Sequence, residues 1–576
     1  MSPPIQPLPS DVVSLIAAGE VIDSLAAVVR ELAENALDAQ ATRLAISLLP
    51  ETWCVKVADN GEGMSLNDLR NCAKSHSTSK IAHFNDLAKI TSLGFRGEAL
   101  HSLSQVCELE IASRYAIDPQ GMGWHLRYDN PGKPLTEQPT AIAPGTIVTV
   151  SDLFGNMPVR RQGLPSLSQQ LKGVQSIVEN LALCHPQVNW HVWHNERLWL
   201  NISPGKTAQD ILPQLLKQVH HHDLQFVSQQ VKIPDNCVFQ SLEKAQLIDF
   251  PLPPLEKNGL VEVTLGLPDR CHRRRPDWVK VGINGRVVRL PQLEQTILMT
   301  FSRTLPKDRF PICFLNLTIS PNHIDWNRHP AKAKIYLYAL NFWQKRISEI
   351  IEQGLRLFPQ TLSIAAQNQR VEKLLKAVEK KENCNIILKT SNEIRLMPLK
   401  AVAQVRNTYI VAEHSSGLWL IEQHIAQERV LYEKLQRDWE FIALDTPIIL
   451  TKISSYQIEQ LQRIGLEVEG FGKKMWAVRT IPKILSQRDD RQDALIELSL
   501  GGDLETAQIA TACRSAIRNG TPMNLSQMQA LLDSWRTTRN PRTCPHGRPI
   551  YLSLEDSSLS RFFCRHWVIG KSHGIF

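Results

Sequence analysis

The sequence predicts an α+β fold class, spread over several domains. Its 576 residues exceed what one hydrophobic core usually organises, because domains contain about 100–200 residues each. Apolar residues make up 43% of the chain and charged residues 21%, which excludes a largely disordered, collagenous or coiled-coil protein. Between about residues 220 and 340, short strand-like runs such as LVEVTLGL alternate with helical ones, as in mixed α/β or α+β proteins.

The first predicted elements come from the hydrophobic pattern of the N-terminal part. Residues 11–45 show helical periodicity. Residues 52–58 read as a strand, and a glycine-containing turn follows at residues 59–63. Strand character returns at residues 145–150 and 188–200. Both element types therefore occur before residue 215.

The later elements divide the rest of the chain. Residues 342–358 are periodic as a helix is, and the segment that follows mixes polar and charged residues with little sign of a core. That segment is predicted to be a linker, after which strand-like runs resume at residue 401. The predicted segments are 1–215, 216–340, a helix and linker at 341–397, and 398–576.

Cysteine usage and hydropathy predict the compartment. The 11 cysteines are scattered and odd in number, which indicates thiols of a reducing compartment rather than a disulfide framework. No apolar run approaches the ~18 residues that cross a bilayer. The first residues, MSPPIQPLPSDVVS, lack the pattern of a secretory signal. We expect a soluble, cytoplasmic protein without a membrane segment.

The net charge of +8 permits binding to a polyanion without requiring it. The sharpest basic cluster lies between residues 270 and 289 and includes Arg273, Arg274, Arg275, Arg286 and Arg289. This stretch is either a solvated basic loop between strands or a surface that contacts phosphates. Independent signs of nucleic-acid binding would favour the second interpretation.

Polar residues of the first hundred positions fit one site. Glu31, Asn35 and Asp38 are spaced i, i+4, i+7 and share one helix face, where a carboxylate and a carboxamide can serve as general base and hard-metal ligand. For this segment alone, an ordinary polar helix face is the better interpretation. Asp59 ends a strand and can accept a hydrogen bond from an exocyclic amine, while Gly61 and Gly63 let the backbone approach a flat ring.

Two further segments match phosphate chemistry. Ser77, Thr78, Ser79 and Lys80 form a short polar run, and after an apolar stretch comes the sequence GFRGEAL at residues 94–100. A Gly-x-x-Gly turn that opens a helix offers free N–H groups and a positive helix end to phosphates. Each motif alone is weak evidence, whereas all of them in this order are strong evidence for a nucleotide site.

The combined motifs resemble those of the MutL family of DNA mismatch repair proteins. The matching stretches include IAAGEV (16–21), RELAENALDA (30–39), ADNGEGM (58–64), LGFRGEAL (93–100), DLFGNMPVRR (152–161), INGR (283–286) and DWNRHPAK (325–332). The resemblance implies a Bergerat-type α/β-sandwich ATPase of the class shared with gyrase, heat-shock chaperones and histidine kinases. A ribosomal-protein-like β-α transducer domain would then complete the ATP site, and a C-terminal α/β domain would dimerise.

The resemblance also implies roles for individual residues. Glu31 would activate water, Asn35 would hold Mg²⁺, and Asp59, supported by Thr146, would read adenine. Lys332 would reach the γ-phosphate from the transducer domain. The remaining ATP-binding set would be Asp38, Gly61, Gly63, Thr78, Ser79, Lys80 and the lid residues Gly94, Phe95, Arg96, Gly97 and Glu98.

The family comparison further implies partners. Slow hydrolysis of ATP would close a homodimer around DNA, downstream of a mismatch-recognition protein of the MutS family. Arg160 and Arg161 lie in a family motif, and Arg286 and Arg289 lie in or beside another, so all four are candidate DNA contacts. Structural salt bridges are an equal alternative for each of them.

A second constellation near the C-terminus fits a metal. His424 and Glu428 are i, i+4 on a predicted helix and can bind one ion from one face. Cys544 and His546 are separated by one residue, so a strand would place both on one side. With Cys513, these side chains form a chemically reasonable Zn²⁺ or Mn²⁺ set.

These residues resemble the endonuclease motifs of the MutL proteins that nick DNA, with one departure. Glu422, which the resemblance adds to the predicted metal set, stands where that branch carries an aspartate. Its extra methylene displaces a carboxylate that the family uses as a metal ligand. A nicking endonuclease and a matchmaker with a non-catalytic metal site therefore both remain open. So does a C-terminal part that only dimerises, without metal. The C-terminal motifs argue against a topoisomerase subunit or a chaperone of the same ATPase class.

Binding to the replication sliding clamp has no clear support. The family uses a short motif with Gln and Pro in the C-terminal part, but residues 441–450, FIALDTPIIL, lack the Gln-x-x-x-x-Pro form.

Overall fold

In the computed structural model, the first eight strands among the described residues form one sheet. The structure describes residues 10–80, 92–94, 97–117, 121–234, 258–325, 335–356, 399–414, 417–472 and 475–555. The eight strands are β1 Arg43–Leu49, β2 Cys54–Asp59, β3 Glu108–Arg114, β4 Gly123–Tyr128, β5 Pro134–Thr140, β6 Gly145–Ser151, β7 Asn189–His194 and β8 Arg197–Ile202. Their order is β5-β4-β3-β6-β2-β1-β7-β8, and β1 runs parallel to β7 but antiparallel to β2.

Helices cover this sheet because their apolar residues form a stripe. The helices described in this part are α1 Ser10–Val21, α2 Leu25–Asp38, α3 Leu66–Cys72, α4 Ala99–Val106, α5 Pro158–Gln162, α6 Leu167–Cys184 and α7 Ala208–Leu215. Helix α2 packs on β1, β2 and α6 through its buried face, while alternate residues of β1 point into the same core. The Ser24 hydroxyl accepts the N–H of Ala27 and begins α2. The predicted single helical stretch 11–45 is therefore two helices and the start of a strand.

A second sheet follows in the chain. Its region contains β9 Leu224–Lys232, β10 Asn258–Gly266, β11 His272–Arg273, β12 Val279–Ile283, β13 Arg286–Val288, β14 Phe310–Pro311, β15 Cys313–Thr318, β16 Ile324–Asp325 and β17 Tyr336–Leu337. Five of these strands pair in the order β13-β12-β15-β10-β9. Helices α8 Pro291–Thr300 and α9 Leu340–Leu355 complete the region. The tight turn between β12 and β13 has φ of 46° at Asn284 and 82° at Gly285, the left-handed pair that a two-residue hairpin turn requires.

The described residues of the C-terminal part form two further sheets. Its elements are β18 Lys400–Val405, β19 Tyr409–His414, β20 Gly417–Glu422, α10 Gln423–Arg437, β21 Phe441–Thr451, α11 Ser455–Arg463, β22 Val468–Gly470, β23 Met475–Pro482, α12 Arg491–Leu500, α13 Leu504–Ser515, α14 Leu525–Arg536 and β24 Tyr551–Glu555. The sheet β18-β19-β20-β24 surrounds a core in which Trp419 stacks on Tyr551 with ring centroids 4.4 Å apart. The sheet β21-β23-β22 packs with α11 and α12 around a second core. Helices α10 and α13 pack together through Tyr432, Leu435, Ile509 and Ala512.

The described residues fall into two compact units. One comprises residues 1–264, 279–296 and 313–347, and the other comprises residues 265–278, 297–312 and 348–576, where described. Mixed helices and sheets in both units confirm the predicted α+β class. The predicted linker at 359–397 lies outside the described residues. No helix in the described ranges is long and apolar enough to span a membrane.

Candidate nucleotide site and metal centre

The polar face of α2 is partly exposed, whereas its apolar stripe is buried. Glu31, Asn35 and Asp38 all lie on this accessible face, as the i, i+4, i+7 spacing predicts. The Arg30 guanidinium donates two hydrogen bonds, of 3.1 and 3.2 Å, to one carboxylate oxygen of Glu31. The helix therefore presents a charged carboxylate and a carboxamide at adjacent turns.

Asp38 ties this helix to the start of the lid segment. One of its carboxylate oxygens accepts the N–H of Leu93 at 2.8 Å, and the other accepts the N–H of Gly94 at 2.9 Å. Lys80 donates to the latter oxygen. A Cβ placed on Gly94 would approach the Asn35 carboxamide oxygen to 3.2 Å and the Lys80 ammonium to 3.3 Å. Glycine here keeps the helix face, the lid start and a cation in close proximity.

Asp59 lies at the end of β2, with its carboxylate turned into the protein. One oxygen accepts the N–H of Gly61 at 2.8 Å. Burial raises the pKa of Asp59, while hydrogen bonds from the Gly61 and Thr146 backbones oppose that rise. The Thr146 hydroxyl lies 2.9 Å from that of Ser113, which also accepts the Met64 N–H at 2.9 Å. Ser113 was not predicted as part of this site. A serine within an ordinary strand pattern does not indicate a nucleotide site.

Glycines around Asp59 allow close backbone approach. Gly63 has φ of 71°, and a Cβ there would lie 2.0 Å from the Arg114 carbonyl oxygen. Gly145 has φ of 128°, and its Cβ would lie 2.2 Å from the Asp59 carbonyl oxygen. A Cβ on Gly61 would meet the Ala39 carbonyl oxygen at 2.5 Å. Only glycine fits these positions without a shift of the backbone.

Other predicted nucleotide-site residues lie near this face or outside the described residues. Thr78 accepts the Lys80 N–H at 3.2 Å, and Ser79 lies between them. Gly97 has φ of 65° and packs against the Ser77 backbone, and Glu98 lies 3.4 Å from the His76 ring and precedes α4. Phe95, Arg96 and Lys332 lie outside the described residues.

Arg286, one of the candidate DNA contacts, is buried. The residue is 8% exposed, and its guanidinium forms an ion pair with Glu34, a residue that is 2% exposed. The hydrogen bond from Arg286 Nε to Glu34 measures 3.0 Å, and Arg286 Nη2 also donates to the Leu93 carbonyl oxygen at 3.0 Å. A DNA phosphate would have to replace this buried carboxylate, so the geometry favours the structural salt bridge over a DNA contact for Arg286. Glu34 was missed because the sequence shows only that it adjoins Asn35.

The other predicted DNA-contacting arginines differ in what they touch. Arg160 donates to the carbonyl oxygens of Gly19 and Ile22 and lies over the Phe154 ring. Arg161 pairs with Asp152 at 2.7 Å, and Arg273 pairs with Asp277 at 2.8 Å. Among the candidate DNA-contacting arginines, Arg274, Arg275 and Arg289 have exposed side chains.

Helix α10 and helix α13 bring the first three metal-binding candidates together. The donor atoms of His424, Glu428 and Cys513 all lie within 4.8 Å of one another. His424 Nδ1 lies 2.9 Å from the Ile517 carbonyl oxygen, which can only accept, so Nδ1 carries the proton. His424 Nε2 is then the ligand nitrogen, and it lies 3.8 Å from Cys513 Sγ. Two such ligands on one tetrahedral Zn²⁺ stand about 3.6 Å apart, so the pair fits a metal.

The second group shares Glu428 with the first. Glu428, Cys544 and His546 also place their donor atoms within 4.8 Å of one another. His546 Nδ1 lies 2.7 Å from the Glu428 carboxylate. The Cys544 sulfur and the Glu428 carboxylate raise the pKa of His546 to about 9. A buried carboxylate and a buried thiol beside a more exposed imidazole are donors of the kinds that Zn²⁺ prefers.

Among the described residues, Glu422 belongs to neither group of metal-binding candidates. It is the N-cap of α10, and its carboxylate accepts the N–H of Ile425 at 2.5 Å. A third group of possible ligands, His220, His222 and Asp223, lies on an exposed turn elsewhere in the chain.

Two residues outside the predicted metal set, Glu433 and Arg429, hold the loop before Cys544. Glu433, on α10, accepts the N–H groups of Arg539 at 2.8 Å and Asn540 at 3.1 Å. Arg429, 1% exposed, donates to the Thr543 carbonyl oxygen at 2.7 Å. The same helix therefore supplies two metal-binding candidates and anchors the loop that carries two more.

Known protein families match three parts of the chain. Residues 23–138 match the histidine kinase-, DNA gyrase B- and HSP90-like ATPase family. Residues 251–356 match the C-terminal domain of DNA mismatch repair proteins, and residues 402–523 match the MutL C-terminal dimerisation domain. The chain thus carries an ATPase domain and a dimerisation domain.

Full-length relatives carry one name. The chain is 70% identical over 579 residues to a DNA mismatch repair protein MutL of Rippkaea orientalis, with 100% of both chains covered. It is 62% identical over 575 residues to that of Crocosphaera subtropica, again with 100% of both covered. A solved Aquifex aeolicus MutL ATPase domain complexed with ADP aligns at 18% identity with a TM-score of 0.37, over 57% of this chain and 97% of that one. The chain belongs to the MutL family of DNA mismatch repair proteins.

Proposed function

We propose that the chain is a homodimeric mismatch repair factor that binds and slowly hydrolyses ATP and nicks DNA at a C-terminal metal site. The observation that supports the ATP site best is the partly buried Asp59 carboxylate, whose pKa is raised by burial, beside the polar face of α2. A desolvated carboxylate among glycines is suited to accept a hydrogen bond from the exocyclic amine of adenine. The Thr146 hydroxyl would support that contact.

The polar face of α2 would serve the phosphates. Glu31 would accept the proton of the attacking water, and Asn35 would hold Mg²⁺, which takes few protein oxygens and keeps most of its waters. Mg²⁺ would neutralise charge on the phosphates. Asp38 would position the lid start through its bonds to Leu93 and Gly94.

The lid and the second domain would complete the ATP site. The phosphate-binding set would include Thr78, Ser79, Lys80, Phe95, Arg96, Gly97 and Glu98. Lys332 would stabilise charge on the γ-phosphate from the domain that follows. A site built from segments about 300 residues apart would make the nucleotide a conformational switch as well as a fuel.

Equilibrium binding of a fluorescent ATP analogue tests the adenine assignment. Asp59→Ala removes a charge-assisted hydrogen bond, so we expect affinity to fall about 10- to 100-fold. Glu51→Ala, at an exposed carboxylate outside the site, is the matched control. Equal affinities of both variants and wild type would contradict the assignment.

The C-terminal metal site would act on DNA. His424, Glu428, Cys513, Cys544 and His546 would hold Zn²⁺ or Mn²⁺, which would supply a Lewis acid and an activated water for phosphodiester hydrolysis. The observation that carries this proposal is the His424–Cys513 pair, whose tautomer and spacing suit a metal. DNA phosphates would contact mainly the exposed arginines Arg274, Arg275 and Arg289. Arg160, Arg161 and Arg273 would be secondary contacts.

Nicking of supercoiled plasmid with Mn²⁺ tests the nuclease. His424→Ala and Glu428→Gln are expected to abolish nicking, whereas His222→Ala, at an exposed histidine of the first unit, is expected to retain it. Nicking at the wild-type rate by both His424→Ala and Glu428→Gln would refute the metal assignment.

A matchmaker without nuclease activity is the second candidate function, and the position of Glu422 favours it. Glu422 caps α10 instead of joining either ligand group, although it stands at the family's aspartate. Loss of nicking in Glu422→Ala would show that Glu422 substitutes for that aspartate in a working nuclease. Nicking gained only in Glu422→Asp, with none in wild type, would identify an ATP-gated matchmaker with a silent site.

The proposed partners follow from the same function. A homodimer would form through residues 402–523, and closure of the ATPase domains would enclose DNA. A MutS-family protein would recruit the dimer to mismatches in the cytoplasm, and sliding-clamp binding has no clear motif here.

A further inference from the structure

Arg286 forms a buried contact between two sequence-distant parts of the first unit. It starts β13, while its partner Glu34 lies on α2 about 250 residues earlier. Both side chains are almost completely buried, and the guanidinium nitrogens Nε and Nη2 donate to the two different carboxylate oxygens. A two-point contact of this kind fixes the orientation of both groups, which a single ammonium cannot do.

The same guanidinium also holds the start of the lid segment. Arg286 Nη2 donates to the Leu93 carbonyl oxygen at 3.0 Å, while the N–H groups of Leu93 and Gly94 donate to Asp38. Leu93 is therefore held through its carbonyl by Arg286 and through its N–H by α2. Glu34 and Asp38 are one turn apart on that helix, so Arg286, α2 and residues 93–94 form one closed hydrogen-bonded ring.

The hairpin that carries Arg286 is itself firmly held. The Asn284 carboxamide donates to the Ile319 carbonyl oxygen at 2.8 Å and accepts the Ile319 N–H at 2.9 Å. The His185 ring lies 2.9 Å from the Gly285 carbonyl oxygen. These contacts join the hairpin to the second sheet on one side and to the end of α6 on the other. A shift of the hairpin would therefore carry the Arg286 guanidinium with it.

We propose that Arg286 is a positioning residue that sets the register between α2 and residues 93–94, and so links the second sheet to the nucleotide site. The inference rests on the proposed ATP site, because Glu31 and Asn35 flank Glu34 on α2. A rotation of the helix that followed loss of this ring would move both side chains relative to residues 93–94. Buried ion pairs contribute little net stability compared with apolar residues of similar volume, so positioning explains this pair better than stability does.

A paired removal of both charges separates positioning from stability. The double variant Glu34→Met/Arg286→Met leaves no buried unpaired charge, so we expect its urea midpoint to stay close to that of the wild type. Hydrogen–deuterium exchange of peptides that include residues 92–94, without nucleotide, should accelerate about tenfold, because the ring that protects these amides is lost. Steady-state kinetics should show kcat for ATP lowered about 10- to 100-fold and KM changed much less.

Controls and alternative results decide the proposal. Lys280→Met is the control, because it removes a 2.6 Å hydrogen bond from Lys280, on β12 of the second sheet, to Asn180 on α6. This variant should keep the exchange of residues 92–94 and kcat at wild-type values. Wild-type exchange and kcat in the double variant would overturn the proposal. If the double variant does not fold, Arg286→Lys serves instead, since it keeps the charge but loses the two-point contact. Wild-type exchange and kcat in Arg286→Lys would overturn the proposal equally.

The exchange measurement also separates this proposal from the proposed function. It needs no nucleotide, so it reports on the ring even if the assignment of Glu31 were wrong. A Glu31→Gln variant with full ATPase activity would refute the catalytic assignment, while altered exchange in the Arg286 variants would still support the ring.

Discussion

Substitution of Glu433 tests how the loop before Cys544 is held. Its carboxylate accepts two backbone N–H groups, at 2.8 and 3.1 Å, and its side chain is 13% exposed. Glutamine can accept only one of these bonds well, because its NH₂ group would face the other donor. Each hydrogen bond to a charged group contributes about 1.5–3 kcal/mol, so Glu433→Gln should weaken the anchoring of the loop by about 2 kcal/mol.

That loss should appear as weaker metal binding. The loop carries Cys544 and His546, and supporting residues of metal ligands typically change affinity about 10- to 100-fold. An energy of about 2 kcal/mol corresponds to roughly 30-fold, so we expect zinc affinity to fall by about 10- to 30-fold in competition with a chromophoric chelator. Glu469→Gln, which removes one partner of an exposed ion pair with Arg479 in the same unit, is the control. Equal zinc affinity of the two variants would refute the reasoning.

Three further predictions concern the ATP site and DNA. Asp59→Asn should stabilise the nucleotide-free protein at pH 7 by about 0.5–2 kcal/mol, because burial raises the pKa of Asp59 and the charged carboxylate therefore destabilises the fold. This gain should vanish as the pH falls through the raised pKa to below about 4, where the carboxyl is protonated in both folded and unfolded protein. Calorimetry that shows a loss of stability at pH 7 would contradict the prediction. Gly145→Ala should destabilise the protein by about 2–4 kcal/mol, because the added Cβ meets the Asp59 carbonyl oxygen. Gly502→Ala, whose Cβ would meet no atom within 4 Å, should change the free energy of unfolding by less than about 0.5 kcal/mol. Equal free energies of unfolding for both variants in chemical denaturation would argue against the close approach. Arg274→Ala/Arg275→Ala should lower the slope of log affinity for DNA against log salt by about 2, and an unchanged slope would remove both residues from the DNA surface.

Helical periodicity was enough to predict the polar face of α2. Spacing alone places Glu31, Asn35 and Asp38 together, because a helix fixes which residues share a side. It cannot show what docks on the neighbouring positions. Glu34 meets an arginine about 250 residues away in sequence, and only the packing of the second sheet brings them together. The sequence therefore left a DNA contact and a structural salt bridge equally open for Arg286, and the buried ion pair favours the salt bridge.

The C-terminal site shows the same division. The i, i+4 pair and the Cys-x-His spacing predicted which donors would gather, and the structure brings all five together in two overlapping groups. The role of Glu422 was not predictable, since a carboxylate at the start of a helix can bind a metal or cap the helix equally well by its chemistry. Glu433 and Arg429 act on backbone groups of a distant loop, and backbone partners leave no sequence signal.

Hydrolysis of ATP by Glu31→Gln tests the central claim most directly, that the face of α2 is the catalytic face of an ATPase. Glutamine keeps the shape of the side chain but cannot accept the proton of the attacking water. Under single-turnover conditions we predict that ATP binding stays within about threefold of wild type while hydrolysis slows by about 100-fold or more. Hydrolysis by Glu31→Gln at the wild-type rate would contradict the account.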